Sequence, residues 1–537
     1  MAASQPFSVA LQGGLNISSN SLELLQTPGI ATKLKNFEVS TRGGYRRING
    51  FNLFGDGTRP NSANDIEGLQ VYADGVIAAA GTNIYFSQDG DSWLQINKAS
   101  VAAGGDNYSA FTGRSASART SQTKSSFAVF EGNTIYGEVV VTDEGSGAKP
   151  FYFKMTGTDV LTSRTFFAKE ITVSGTHFPK YCVIHDKHLV VAGAATALNT
   201  IFYSGTNDID DFTSTGSGSI VLDDQVVGLK SFRDELFVFC RNSIYKLQNI
   251  NDSSNIAIVP VTKNVGCVDG KTIQEFAGDL IFLAPDGFRT IAGTARIGDV
   301  ELGTISSSIQ PLINSIVGSN SIFEYSSVVL RDKSQYRMYY STSTSSTTNS
   351  KGIIGTLTKR GFEWSEVAGI QAPAITSGFN YARNEKIYHG DRDGYVYNHD
   401  TGNTYNPAGT SVNIEAEYQS PDFDYGDFGT LKTLDHVKVS LLPEGDVSPT
   451  LRVRFDFDSL DRLQPGDANI ISATPSIFGD SVAIFGTSKF GSPEQPLVKS
   501  TIVGSGHSNF FKIFSNDDNA PYTINGLYIN YRPSGRQ

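Results

Sequence analysis

Sulfur is scarce in this sequence: three cysteines and three methionines occur among 537 residues. Cys182, Cys240 and Cys267 form no CxxC pair, so no disulfide framework is expected. Each lies in or beside an apolar strand pattern and reads as a buried free thiol. Rare methionine and few Leu/Ala/Glu/Lys runs argue against helices. No stretch offers the ~18 consecutive apolar residues of a membrane helix. The opening MAASQPFSVALQGG lacks a basic start and a long apolar core. No signal peptide or membrane anchor is therefore expected, and synthesis and folding are placed in a cytoplasm. Basic charge is short as well: 43 Lys and Arg against 54 Asp and Glu, a net charge of −11. Tight sequence-independent DNA binding needs clustered cations and is disfavoured, whereas a surface that DNA merely slides past is not. There is no GxSxG, P-loop or HExxH, and no GxGxxG in a strand–helix setting. These absences shift weight from catalysis toward a structural or binding role.

Glycine and aromatics are abundant, with 54 Gly, 34 Phe and 23 Tyr. Glycine turns between aromatic, β-branched strands mark an all-β protein. One unit recurs: a strand, a tight polar turn, then a strand carrying an aromatic. It is clearest in SFRDELFVFCRNSIYKLQ (231–248), EFAGDLIFLAPDGFRTI (275–291) and YARNEKIYHGDRDGYVYNHD (381–400). Looser copies begin at 69, 125, 183 and 327. A repeat of roughly 40–50 residues built from antiparallel strands is the signature of a β-propeller blade. Irregular spacing leaves the blade number at about six to eight, with six favoured.

Three zones divide the chain. Residues 1–65 hold few clear hairpins and are assigned to a platform domain; 66–405 carry the propeller repeats; 406–537 complete the platform as a β-sandwich. In the last zone, strands are expected at 411–420, 433–443, 450–459, 481–489 and 524–533. Period-two alternation in 450–459 would place Leu451, Val453, Phe455 and Phe457 on one face, with Arg452, Arg454, Asp456 and Asp458 on the other. Helix signals are few. SSSIQPLINSIV (306–317) puts Ile309, Leu312, Ile313 and Ile316 on one side, with Ser307 or Ser308 as cap and Pro311 in the first turn. A shorter helix fits 21–29, stopped by Pro28 and Gly29. Polar stretches at 115–126 and 341–352 read as linkers or hairpin tips.

Chemistry-bearing clusters read as bland. Asp391, Asp393 and Asp400 around Gly394 resemble a calcium loop, but no further alternate acid and no bidentate Glu follow, so a hairpin turn is the expectation. Asp89-Gly90-Asp91 is a hairpin tip of the kind that caps sialidase-like blades, without visible sialidase features. His185 and His188 would meet only if a turn falls at Asp186-Lys187, and no third zinc ligand is near. His389 and His399 bracket one hairpin as potential cross-strand neighbours, and Glu415 and Glu417 read as a solvated pair. No catalytic, metal or cofactor-binding residue is assigned, and no cofactor or enzyme activity is expected.

The most specific stretch is 11–55, LQGGLNISSNSLELLQTPGIATKLKNFEVSTRGGYRRINGFNLFG. Its paired glycines imply unusual backbone geometry. Arg42, Arg46 and Arg47 around them suit either pairing with local carboxylates or contact with a neighbouring subunit. Gly13, Gly14, Pro28, Asn36, Glu38, Gly43, Gly44, Arg46, Arg47, Gly50 and Phe51 resemble the opening of phage tail nozzle proteins, the tail tubular protein B or tail stabilisation family of short-tailed phages. The segment from GLKSFRDELFVFC to NVGCVDGKTIQEFAGDLIFLAPDGFRTI is similar to that family too, and the resemblance spans about 11–400. It implies a virion structural protein: a homo-oligomeric ring of six subunits at the distal tail end, assembled in the host cytoplasm. Its partners would be a tail adaptor above and tail fibres or other tail proteins around it. Phage DNA would be held in, then ejected through, a lumen without sequence-specific binding. An acidic wall would repel phosphate and let DNA pass. The alternatives are a glycan-binding or glycan-degrading propeller, or another tail or baseplate component.

Overall fold

The computed structural model describes residues 4–96, 124–131, 137–144, 149–155, 166–175, 177–252, 255–292, 304–319, 322, 324–342, 350–380, 382–470 and 497–536. The strand expected at 481–489 and most of both polar linkers lie outside these residues. Within them the protein is an all-β propeller with a β platform made from both chain ends.

Six sheets stand as discrete blades. Four of them have four consecutive strands each, spanning 66–96, 125–170, 181–221 and 226–262. A three-stranded blade covers 274–290. The sixth joins three strands of 374–399 to Phe51–Leu53 from the N-terminal zone. The ring is closed by Glu324–Leu330, Gln335–Ser341, Ser350–Thr358 and Gly361–Ile370, which form one end of a nine-stranded sheet. Seven inner strands therefore surround the axis. Each pair of neighbouring sheets shares its own apolar cluster, such as Tyr72, Ile77 and Phe86 with Val139, Phe153 and Phe166. Sheet-on-sheet burial all round the ring needs no central core.

The repeat visible in the sequence has a local cause. Four blades pass from first to second strand through a two-residue turn in which both residues have positive φ: Ala73-Asp74, Asp186-Lys187, Arg233-Asp234 and Ala277-Gly278. Such turns match the right-handed twist of the strands they join.

The platform has two faces. One is the other end of the nine-stranded sheet. Lys33–Lys35 pairs in parallel with Gly361–Ile370 and antiparallel with Ile414–Gln419, and the sheet runs on through Asn509–Asp517 and Thr450–Phe455. The second is a seven-stranded sheet centred on Thr430–Pro443 and Tyr522–Arg536, to which Gln5–Ala10, Phe37–Val39 and Tyr45–Arg47 are added. Val437, Val439, Leu527 and Ile529 share a core with Leu451, Val453, Phe511 and Ile513. The 1–65 zone thus feeds both bodies, because Phe51–Leu53 belongs to a blade.

Local departures are few. The strand from Thr450 ends at Phe455, and Phe457 is 57% exposed instead of lying in the core. Asp456, Phe457 and Asp458 all take positive φ, and the Asp456 carboxylate accepts the backbone N–H groups of His507 and Ser508. That local bonding turns the chain out of the ladder. The helix at Gln310–Val317 buries Ile313 and Ile316 with Pro in its first turn, but a 3₁₀ turn precedes it and no serine side chain caps it. The other helix, Ser21–Leu25, is capped by Asn20 and stops before Pro28.

Candidate functional site

Among the described residues, two networks of buried charged side chains stand out. The first lies at the propeller axis, where a cavity of about 500 Å³ is lined by all seven inner strands. At the end where those strands begin, Lys124 forms an ion pair with Glu324 at 2.7 Å and donates to the Pro373 carbonyl at 2.8 Å. Arg392 binds the other oxygen of Glu324 and lies 3.6 Å from Asp65. Four neighbouring strand starts are tied by this cluster. Burial lifts the Asp65 carboxyl to about 6, against the opposing pull of Arg392 and Lys124. Lys271 crosses the channel wall to the Ser125 carbonyl at 3.0 Å and the Ser126 hydroxyl at 2.8 Å. Burial lowers its ammonium pKa, while Glu144 and Asp269 beside it, both pushed up by burial, act in the other direction. At the far end stand Lys230 and Arg331, the latter paired with Glu385 at 3.3 Å. Lys124, Arg392, Lys271 and Arg331 thus bond across blades.

The second lies at the seam between propeller and platform. Glu38 accepts from Arg46 at 2.8 Å, Lys333 at 2.9 Å, Arg337 at 2.8 Å and Gln335 at 3.1 Å. Asp400 accepts from Lys333 at 2.7 Å and Arg337 at 3.1 Å. Burial would raise the pKa of Glu38, but Lys333, Arg337 and Arg46 more than offset it and the net direction is down. Asp400 is held down in the same way by Arg337 and Lys333. Two carboxylates and three cations thus share one buried network.

The residues singled out in the sequence fall as follows. Asp391 accepts the N–H groups of Asp393 and Tyr395 and the Tyr397 hydroxyl, whereas Asp400 faces Arg337, so the three aspartates do not converge. Among the described residues no cluster of three or more His, Cys, Asp or Glu has the geometry to hold a metal ion. His185 and His188 do face each other across the Asp186-Lys187 turn, but they bond elsewhere: His185 to Ser231 at 2.9 Å, His188 to the Ser204 carbonyl at 2.6 Å. His389 and His399 meet with their Nδ1 atoms 3.2 Å apart. Glu415 pairs with Lys35, and Glu417 with Lys33 and Lys512. Arg46 reaches Glu444 as well as Glu38, and Arg47 is buried against Asp517 and the Asn519 and Asn403 carbonyls; Arg42 is exposed. Arg337, Lys333, Lys124, Glu324 and Arg392 carry no local motif. Their only signal is a charge inside or beside an apolar strand.

The N-terminal block that opens the chain builds the seam. A side chain at Gly14, whose φ is +66°, would meet the backbone of Trp364 at 2.8 Å. One at Gly50 would meet the Thr404 carbonyl at 1.7 Å. Asn36 bonds the Glu415 carbonyl and the Ala368 N–H, one on each side of the seam.

No family model and no curated protein matches the chain. Similar solved structures include PorZ, a surface component of the type-IX secretion system of Porphyromonas gingivalis, at 11% identity and a TM-score of 0.36. That match covers 63% of this chain and 37% of the other. The extracellular domain of BT4673 from B. thetaiotaomicron gives 10% identity and a TM-score of 0.33, over 65% of this chain and 39% of that one. An exo-β-1,3-galactanase from Phanerochaete chrysosporium gives 10% and 0.26, over 90% and 99%. The chain therefore spans well under half of the first two proteins. At these values the likeness is one of strand arrangement and carries no functional argument.

The cysteines are structural. All three are buried free thiols, and burial pushes Cys182 up to about 11 and Cys240 and Cys267 up to about 12. A thiolate-directed reagent at pH 8 is expected to label none of them until denaturant is added, then all three. Rapid native labelling, read by mass spectrometry, would contradict this placement.

Proposed function

We propose that the protein is a structural subunit of a phage tail nozzle, a ring that docks on the tail adaptor and encloses the channel for DNA ejection. One observation carries the reading. Gly14, Asn36, Glu38, Arg46, Arg47, Gly50 and Phe51, which bear the family resemblance, all lie at the seam that joins propeller and platform. Their use here is architectural, as that family's two-part subunit requires. The charges at the propeller mouth support a scaffold in the same way, because they are spent on cross-blade bonds. In this reading the protein has no catalytic centre, and its partners are further copies of itself, the adaptor and other tail proteins.

The platform also exposes apolar side chains that a neighbouring copy would cover. Leu460 and Leu463 are almost fully exposed, and the exposed Phe457 lies tilted against Phe428, with ring centroids 6.2 Å apart. Clustered exposure of this kind marks association surfaces. Electron microscopy of the protein co-expressed with its tail adaptor tests the reading. Sixfold rings on the adaptor are expected. Persistently monomeric protein that never joins the adaptor would sink it.

A further inference from the structure

The axial cavity of about 500 Å³ differs at its two ends. Where the inner strands begin, Lys124, Glu324 and Arg392 are buried and bonded to one another. At the far end the Arg331 side chain is 51% exposed, so the cavity opens there. Its lining runs against the charge of the chain. The net charge is −11, yet the cations Lys124, Lys230, Lys271 and Arg331 line the cavity against a single carboxylate, Glu67. Most of those cations are committed. Lys124 is paired with Glu324 and Arg331 with Glu385, and Lys271 donates to the Ser125 carbonyl and the Ser126 hydroxyl. Lys230 is the exception. Among the described residues its ammonium makes no hydrogen bond and no ion pair, and Glu275 attracts it only at longer range. The residue is half-buried, and its ammonium keeps access to the cavity.

A cation set in a protein cavity without a counter-charge loses hydration and gains nothing in return. Burial accordingly lowers the Lys230 ammonium pKa, with Arg331 acting in the same direction and Glu275 opposing. An anion from outside the protein would supply the missing partner. The walls can complete its coordination. Thr376 and Ser377 stand three inner strands round the ring from Lys230 and present hydroxyls to the cavity. Each inner strand is also paired on one side only, which leaves backbone N–H groups on its free edge. We propose that the axial cavity binds a small molecule bearing an oxyanion, phosphate or carboxylate, which pairs with the Lys230 ammonium and accepts from the Thr376 and Ser377 hydroxyls. The volume falls within the ~300–1,000 Å³ of ordinary small-molecule sites. The bonded groups at the strand starts hold the blades together, while Lys230 serves the ligand.

Titration calorimetry of the full chain at neutral pH tests this with inorganic phosphate, glycerol phosphate and citrate, and with glycerol as the neutral control. At least one anion should bind saturably, and glycerol should not. Binding of the phosphates alone marks a phosphate site and of citrate alone a carboxylate site, and either result upholds the proposal. For the anion that binds, Lys230→Met is expected to weaken affinity about tenfold, the loss of one charge-assisted hydrogen bond, while Lys230→Arg keeps the charge and most of the affinity. Ser377→Asp sets a carboxylate into the same cavity and should weaken binding to a similar degree. It leaves Lys230 in place should Lys230→Met fail to fold. The proposal is overturned if none of the three anions binds, or if glycerol binds as well as glycerol phosphate. Affinity that Lys230→Met and Ser377→Asp both leave unchanged shows an adventitious ion only and overturns it equally.

Discussion

Arg337→Met is expected to destabilise the protein by about 3–5 kcal/mol, read as a lower midpoint in chemical denaturation. The side chain is 1% exposed and its partners Glu38 and Asp400 are 3% and 9% exposed. Methionine fills much of the volume but leaves two buried carboxylates with only Lys333 and Arg46 to share. It also removes the donor that lies 3.3 Å from Nε2 of His399. Removing one partner of a buried pair is costly because the other charge stays behind. The effect has a pH signature. Glu38 and Asp400 are held below their ordinary values, so their stabilisation is fully present above the unfolded carboxylate values near ~4 and is lost as pH falls through the folded ones. In the variant those values rise, so the deficit against the native protein should be largest at neutral pH and shrink in acid. Burial keeps His389 far below its ordinary value, at about 3, and lowers His399 as well. A histidine kept neutral in the fold costs stability once pH drops below its unfolded value of about 6.5. A deficit that is flat from pH 4 to pH 8 would contradict the network.

Removal of residues 1–54 is expected to abolish soluble folded protein. The segment is far more than an appendage. Phe51–Leu53 closes the blade of 374–399, and Lys33–Lys35 bridges the two halves of the nine-stranded sheet. Leu34, Phe37 and Tyr45 are fully buried, with Phe37 packed on Tyr522 and Tyr45 on Tyr418. Without them an open sheet edge and a bare apolar core face water, the condition for aggregation. Phe51→Ala alone should cost about 3–5 kcal/mol, since it empties a site shared by Tyr397, Tyr405 and His389. Sedimentation and circular dichroism of the truncated chain decide the matter. A folded monomer melting near the full-length value would refute the closure.

The two-residue turns explain why the propeller was legible in the sequence. Tyr-Ala-Asp-Gly at 72–75 and Phe-Arg-Asp-Glu at 232–235 announce a hairpin from four adjacent residues. The platform's strands were likewise visible in their alternation, as in Leu451, Val453 and Phe455. What stayed hidden was long-range pairing. Lys33–Lys35 is three residues with one apolar side chain, too short to show a period, yet it joins two bodies. Phe457 continues the alternation of its strand, but the carboxylate of Asp456 found backbone donors fifty residues away. Arg337 looks like an outward charge in QYRMYYS. Only the return of Asp400 and Glu38 to the same spot makes it a centre of the seam. At the seam, His389 and His399 could be matched as cross-strand neighbours, whereas the donor behind His399, Arg337, comes from some sixty residues away.

The pairing of Gln5–Ala10 with Tyr522–Arg536 has a temporal consequence. A ribosome releases roughly 5–20 residues each second, so the first strands wait about half a minute or more for the last ones. Through that interval the seven-stranded sheet lacks its central strand Tyr522–Arg536, and the platform cannot close. Folding of such distant contacts is slow, and exposed intermediates are prone to aggregate. The discrete blades between 66 and 290 contain only local hairpins and can form as they emerge. The order of assembly is therefore written into the topology: propeller first, seam last, with the completed chain as its own signal.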